Sequence, residues 1–237
     1  MKIAIDGPAA SGKSTVSKEI SDRLGYRYID TGAMYRALTL LSIRENIGKS
    51  DEPALIQLLE SHSIEVDVNK CFVDGEDVSK LIRTPDVTER VSYVCAPAGV
   101  RERMVRKQQN LAKQTEFSNK YNGVVMEGRD ISTVVLPDAD LKIFMTASPL
   151  ERARRRQSDP KNPELEGEDI EKIAEEIARR DKLDSEREVA PLKPAEDSII
   201  MDTTGQSIQE VVDDIISKVN NLRQHINQKE NLHGSNA

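Results

Sequence analysis

Gly7-Pro8-Ala9-Ala10-Ser11-Gly12-Lys13-Ser14 satisfies the spacing G-x-x-x-x-G-K-S/T at each fixed position. These residue types can hold phosphate. Glycine at 7 and 12 permits backbone turns that a Cβ would block. The amides between them then point inward, close to a helix N-terminus where partial positive charge gathers. Lys13 places a cation beside the β- and γ-phosphates, and the Ser14 hydroxyl is a ligand for Mg²⁺. The segment follows a short apolar run, Lys2–Asp6, and opens a stretch with helical spacing, Ser14–Leu24. That strand-to-helix context is the one the motif requires. A chain built this way is expected to bind a nucleoside triphosphate with Mg²⁺. The motif alone leaves the fate of the γ-phosphate open.

Further residues bear on that fate. A GTPase would read guanine with N-K-x-D, and both Asn-Lys pairs, Asn69-Lys70 and Asn119-Lys120, lack the fourth position. The run Val124-Val125-Met126-Glu127 is a short version of what a motor ATPase carries, so that class stays partly open. Four arginines fall within residues 152–156, beside a loop rich in Pro, Gly and charge. On a helix Arg152, Arg155 and Arg156 share a face and Arg154 points away. Arginines on a closing flap would exclude water and spread charge over a transferring phosphoryl group. The same residues would equally serve as a solvated face paired with Glu151. Arg180, Asp184 and Arg187 share another helical face, fit for a phosphate and a sugar hydroxyl or for a surface ion-pair ladder. Arg36 and the group Glu127-Gly128-Arg129-Asp130 are further candidates, the latter at the carboxyl end of an apolar strand, where ligands sit in open α/β sheets.

The elements that must position these groups alternate. Short strands are expected at Lys2–Asp6, Tyr26–Ile29, Gly123–Met126, Leu141–Met145 and Ser198–Met201. Helices are expected at Ser14–Leu24, Ala33–Glu45, Asp51–Ser61, Pro85–Val94, Gly99–Gln114, Pro149–Gln157, Asp169–Ser185 and Ser207–Leu222. This is an α/β pattern, a parallel sheet covered by helices. Ile64–Val68 and Cys71–Val73 alternate differently, around an Asp74-Gly75 turn, and read as a small antiparallel insert. The polar end, 223–237, is expected to be a disordered tail.

Composition removes other classes. The 237 residues carry 34 Lys and Arg against 41 Asp and Glu, a net charge of −7, unlike a general nucleic-acid coat protein. With 3 Phe, 5 Tyr and no Trp, the core must be aliphatic. No apolar run approaches the roughly 18 residues of a membrane span. The N-terminus lacks the pattern of a signal peptide, and Cys71 and Cys95 match neither a zinc nor a disulfide framework. The expectation is a cytoplasmic protein with reduced thiols and no membrane or nucleic-acid partner.

Taken together, GPAASGKST at 7–15, DTGAMYR at 30–36, RERMVRKQ at 101–108, EGRDISTVVLPDADLKIFM at 127–145, ERARRR at 151–156 and RRDKLDSEREVAPLKPAEDSI at 179–199 resemble the bacterial cytidylate kinases, in order and in spacing. The resemblance spans about residues 1–220. It implies a P-loop kinase of the nucleoside-monophosphate kinase family, one domain over 1–222. That domain would carry a β-rich monophosphate-binding insert at 62–84 and a mobile lid at 153–168. The implied reaction is ATP with CMP or dCMP giving ADP and (d)CDP, in pyrimidine nucleotide metabolism. By similarity, Gly7, Pro8, Ala9, Ala10, Ser11, Gly12, Lys13, Ser14 and Thr15 hold the ATP phosphates, with Lys13 stabilising the transferring group and Ser14 on Mg²⁺. Thr31 and Arg36 match acceptor contacts, Arg36 on its phosphate, and Arg129 and Arg187 match further phosphate contacts. Ser92, Arg101 and Asp130 match the positions that read the base, and Arg180 and Asp184 those that hold the ribose. Arg152 and Arg156 match a clamp in the lid.

Physical chemistry supports the base assignment. Cytosine offers an N4 amino donor, for which a carboxylate is the natural acceptor. Uracil offers O4 there, and two facing acceptors leave both unpaired. Asp130 with Arg101 is therefore expected to prefer CMP over UMP. The family usually reads D-G-R-D-I/M-G-T, whereas this chain has Glu127 and Ser132. Glu127 still offers a carboxylate to a water of the Mg²⁺ shell, while Ser132 adds a side chain where glycine is usual. The alternatives are a kinase for another monophosphate such as UMP and a P-loop regulatory ATPase module. Movement of lid and insert suits a monomer.

Overall fold

A computed structural model describes all residues except 161, 163, 164 and 235–237; within the last helix it describes the backbone alone at 227 and 229–234. Five parallel strands form the main sheet: β1 (Lys2–Asp6), β2 (Arg27–Asp30), β6 (Val124–Gly128), β7 (Leu141–Thr146) and β8 (Ile199–Asp202), in the order β2-β6-β1-β7-β8. Strands β1 and β6 are buried almost throughout, which is why they read as continuous apolar runs. Helices α1 (Lys13–Leu24), α2 (Thr31–Arg44), α5 (Ala98–Phe117) and α8 (Ile208–Gly234) cover the sheet. One apolar cluster joins Ile3, Ile5, Val16 and Ile20 to Val211, Val212 and Ile215. Another joins Ala4, Ile29 and Met126 to Leu38, Val100 and Met104. Register aligns the carboxyl ends: Asp6 lies opposite Gly128 and Phe144, Asp30 opposite Glu127, and Thr146 opposite Asp202. One edge of the sheet thereby presents the loops that follow every strand.

Helix α3 (Glu52–Ser61) leads into a separate antiparallel sheet of β3 (Ile64–Asp67), β4 (Lys70–Val73) and β5 (Glu76–Asp77), at the expected insert. A 3-10 turn at Leu81–Arg83 and α4 (Pro85–Val94) return the chain to the core. Helices α6 (Pro149–Gln157) and α7 (Ile170–Glu186) pair with each other beside the phosphate loop. Residues 161, 163 and 164 of the expected lid lie outside the described residues, Pro163 among them. The end of the chain needs a correction. The helix expected to stop at Leu222 continues to Gly234, through most of the stretch expected to be disordered. Arg223 accounts for its start: its guanidinium donates to the Tyr26 hydroxyl at 2.9 Å and packs over that ring, and Leu222 joins the core. Residues 235–237 of that tail lie outside the described residues.

Candidate active site

The turn from β1 into α1 curls around one end of a cavity. Gly7 has φ 149°, and a Cβ there would stand 2.0 Å from the Met145 carbonyl oxygen, so the loop passes β7 closer than any side chain allows. Gly12, at φ 92°, is the N-cap of α1. Lys13 is buried; its ammonium donates to the Pro8 carbonyl at 2.7 Å and the Ser11 hydroxyl at 3.1 Å. Burial and the nearby Arg129 charge push its pKa down to about 7, against the pull of Glu127, Asp6 and Asp181. A phosphate bound beside it would favour the charged form.

Beside it, β6 ends in Glu127, whose carboxylate is buried and accepts from the Tyr28 hydroxyl at 2.5 Å. Burial and the charge of Asp30 push its pKa up, although Lys13 and a hydrogen bond from Ser14 oppose them. Ser14 and Glu127 thus share one point: a hydroxyl and a carboxylate, both hard oxygen donors, beside a second acidic residue, Asp30. That donor set suits Mg²⁺. Among the described residues no group of three His, Cys, Asp or Glu could hold a metal by itself.

The same cavity, about 530 Å³, runs from the phosphate loop to a wall of arginines. Asp30 caps α2 through the Ala33 amide at 2.9 Å and receives Arg83 at 3.2 Å. Thr31 lines the cavity, but its hydroxyl donates to the Glu127 carbonyl at 2.6 Å. Arg36 reaches the Ile82 carbonyl at 3.0 Å and Thr88 at 2.9 Å. Burial and the like charges of Arg180, Arg83 and Arg156 hold its pKa well below the usual arginine range. Arg180 is pushed down to about 10 by burial and by Arg129. Buried nitrogens of Arg156, Arg180 and Arg187 have no hydrogen-bond partner. Crowded cations with unused donors form a cradle for an anion.

Deeper in, Arg101 from α5 donates to Asp130 at 2.5 Å and to the Cys95 carbonyl at 3.1 Å, and both side chains are almost wholly buried. Arg187 stands 3.9 Å from Asp130. Asp184 on α7 takes Arg129 at 3.0 Å and a longer contact from Ser92 at 3.5 Å. Burial works against its carboxylate, yet Arg129, Arg180 and Arg187 outweigh it and hold the pKa below the usual range. Of the residues selected from sequence, Ala9–Thr15, Thr31, Arg36, Ser92, Arg101, Arg129, Asp130, Arg156, Arg180, Asp184 and Arg187 line this one cavity. Gly7 and Pro8 do not line it; Gly7 shapes the loop from beneath.

The chain matches the cytidylate kinase family over residues 3–221. It belongs to the cytidylate kinase family. A cytidylate kinase of Geobacillus sp. is 53% identical over 224 residues, covering 93% of this chain and 96% of that one. One from Bacillus cytotoxicus is 52% identical over 228 residues, covering 94% and 98%. Among solved structures, an uncharacterized protein of Eubacterium ventriosum shares the fold with a TM-score of 0.50 at 13% identity, covering 93% of this chain and 98% of that one. No helix among the described residues of this cytidylate kinase family member is long and apolar enough to cross a membrane.

One arginine departs from the expectation. Arg152 does not line the cavity; it is buried and donates to the Ala147 and Ala9 carbonyls, each at 3.1 Å, and pairs with Asp181. Its neighbour Arg155 lines the cavity instead, tied to Thr203 and to the Ser11 carbonyl. The register of α6 decides this: Arg152 lies one turn nearer the sheet, against the phosphate loop. Sequence reasoning also missed Arg83, Asp181 and Asp6. Asp6 ends β1, and its buried carboxylate accepts from the Ile131 and Ser132 amides at 2.7 Å each and the Ser132 hydroxyl at 2.5 Å. The added Ser132 side chain is thus absorbed by Asp6. An acidic residue closing a buried strand was the signal available for Asp6, and the Arg-Thr-Pro break for Arg83.

Proposed function

We propose that this protein transfers the γ-phosphoryl group of Mg²⁺-ATP to CMP or dCMP, giving ADP and (d)CDP. The observation that carries the base assignment is the buried Asp130–Arg101 pair within the cavity that begins at the phosphate loop. Asp130 keeps acceptor capacity for a cytosine amino group, and Arg101 supplies donors beside it. Arg36, Arg129 and Arg187 take the acceptor phosphate, and Arg180 and Asp184 hold the ribose. Residues 62–84 act as the monophosphate-binding insert and 153–168 as the lid.

The loop amides and Lys13 hold the ATP phosphates. Ser14, and Glu127 through a water, would hold Mg²⁺, which would neutralise charge on the ATP phosphates. The acceptor phosphate is already ionised near neutral pH, so no general base is required. Lys13, Arg156 and Arg129 stabilise charge that spreads over the transferring group, and positioning supplies the remainder. Movement of the lid and the insert suits a monomer.

The test is ADP release with Mg²⁺-ATP and each of CMP, dCMP, UMP, AMP, GMP and dTMP. Fast turnover with CMP and dCMP, and far slower turnover with UMP, is expected. Equal turnover with UMP would make the base reading wrong. Slow ADP release independent of any monophosphate would assign a regulatory ATPase instead.

A further inference from the structure

Asp181 belongs to none of these roles. It stands on α7 between Arg180 and Asp184, which line the cavity, yet it does not line the cavity itself. Its carboxylate meets the phosphate loop. One oxygen accepts from the Ala9 amide at 3.0 Å, and the other pairs with Arg152. The same Arg152 nitrogen donates to the Ala9 carbonyl at 3.1 Å. Both backbone polar groups of Ala9 are therefore held by one carboxylate–guanidinium pair. The Ala9 methyl group packs among Ala153 of α6 and Ile173 and Ile177 of α7.

What is being held is strained. Ala10 sits at φ 58°, a left-handed conformation that is costly for a residue with a Cβ. Such conformations persist where the surroundings over-determine them. The loop's amides face phosphate only if that shape is kept. The pair also ties the loop to α7, which carries two acceptor contacts, and to α6, which carries Arg155 and Arg156.

We propose that Asp181 is a positioning residue for phosphoryl transfer: through Ala9 and Arg152 it fixes the phosphate loop in one frame with α6 and α7. This rests on the phosphotransferase reading above. Asp181→Ala leaves the Ala9 amide without its acceptor and Arg152 without its counter-charge. The expected result is a rise of about tenfold in the dissociation constant and KM for Mg²⁺-ATP, in line with one lost charged hydrogen bond. Binding of CMP to the free enzyme should change by less than about twofold, because no base or acceptor-phosphate contact is removed. Asp181→Asn retains an acceptor for Ala9 and should lose about threefold, again confined to ATP. In an Arg152→Ala background the Asp181→Ala change should cost less than it does alone, because the two side chains act together.

The measurement is calorimetric binding of Mg²⁺-ATP and CMP separately, with kcat and KM from ADP release. A loss shared equally by ATP and CMP, or no loss in ATP binding, overturns the proposal in either variant. If Asp181→Ala does not fold, Asp181→Asn decides by the same criteria. Wild-type protein that binds ATP but gives no CMP-dependent ADP would refute the phosphotransferase reading, and the binding comparison would still stand on its own.

Discussion

The two ends of the cavity are built on different plans. The end proposed to hold the donor is lined by consecutive residues, Ala9–Thr15, whose backbone turns at Gly7 and Gly12 leave the loop open. The acceptor end is made of side chains gathered from α2, α4, α5, α7 and the turn after β6. A backbone site accepts many side chains but few changes of shape. A side-chain site holds its shape through the scaffold and can be altered one contact at a time. Substitutions that change the shape of the loop at the donor end should therefore weaken binding of any triphosphate, while those at the acceptor end should alter which monophosphate is chosen.

The sharpest break in that contrast is Gly7→Ala. A methyl group 2.0 Å from the Met145 oxygen must displace the loop or β7. Mg²⁺-ATP binding should fall by more than about a hundredfold, since two hydrogen-bonded strands are disturbed together. Calorimetry with ATP would reveal a mistaken reading if affinity survived.

Next is Asp130→Asn, which leaves Arg101 a neutral partner and offers uracil a donor. The ratio of kcat/KM for CMP over UMP should fall by about tenfold to a hundredfold, with KM for ATP nearly unchanged. Thermal unfolding should also drop, because weakening a buried ion pair from one side is costly. A preserved CMP preference would locate base reading elsewhere.

A smaller effect separates the two ends by pH. Burial and the Arg129 charge push the Lys13 pKa down to about 7, and bound phosphates would raise it. ATP binding at about pH 8 should take up a proton, fading below about pH 6 where Lys13 is already charged. CMP binding should show no such uptake from Lys13. The sign also bears on stability. The folded-state value lies below the unfolded one, so stability from this group grows as pH rises from about 7 towards 10.5. Calorimetry in buffers of different ionisation enthalpy, with Lys13→Met as control, reads the uptake directly.

The smallest effect is Ser132→Gly. It removes one donor from a buried Asp6 that keeps two amides, and should cost about 1 kcal/mol of stability with little change in KM for either substrate. A marked rise in KM for CMP would show that the Ser132 hydroxyl, and not the amides, sets the loop carrying Arg129 and Asp130.

The contrast also explains what was legible in the sequence. The donor end is local, so Gly7, Gly12, Lys13 and Ser14 could be read from spacing and residue type. Helix α4 and helix α6 begin at the prolines where the sequence expects them. The acceptor end was reached largely through resemblance, because nothing in the spacing between Arg36 and Arg187 says that they meet. The place of Arg152 outside the cavity is hidden for a related reason. Helical periodicity groups it with Arg155 and Arg156 but does not say which part of that face meets the phosphate loop. Asp181 is one residue from Arg180 and does different work, a distinction set by how α7 packs. Just past Leu222, α8 gains a contact with Tyr26, far away in sequence.

The strand order has a consequence for how the chain is made. Strand β1 leaves the ribosome before the other strands of its sheet, yet it lies in the middle, and its two neighbours are β6 and β7. Strand β2 does not pair with it; β2 also waits for β6. The phosphate loop therefore has no flanking strand until Val124 and beyond have been synthesised. Pairings of such long sequence separation form slowly. A nascent chain that ends before Val124 would carry the whole phosphate-binding motif and neither of the strands that hold it open.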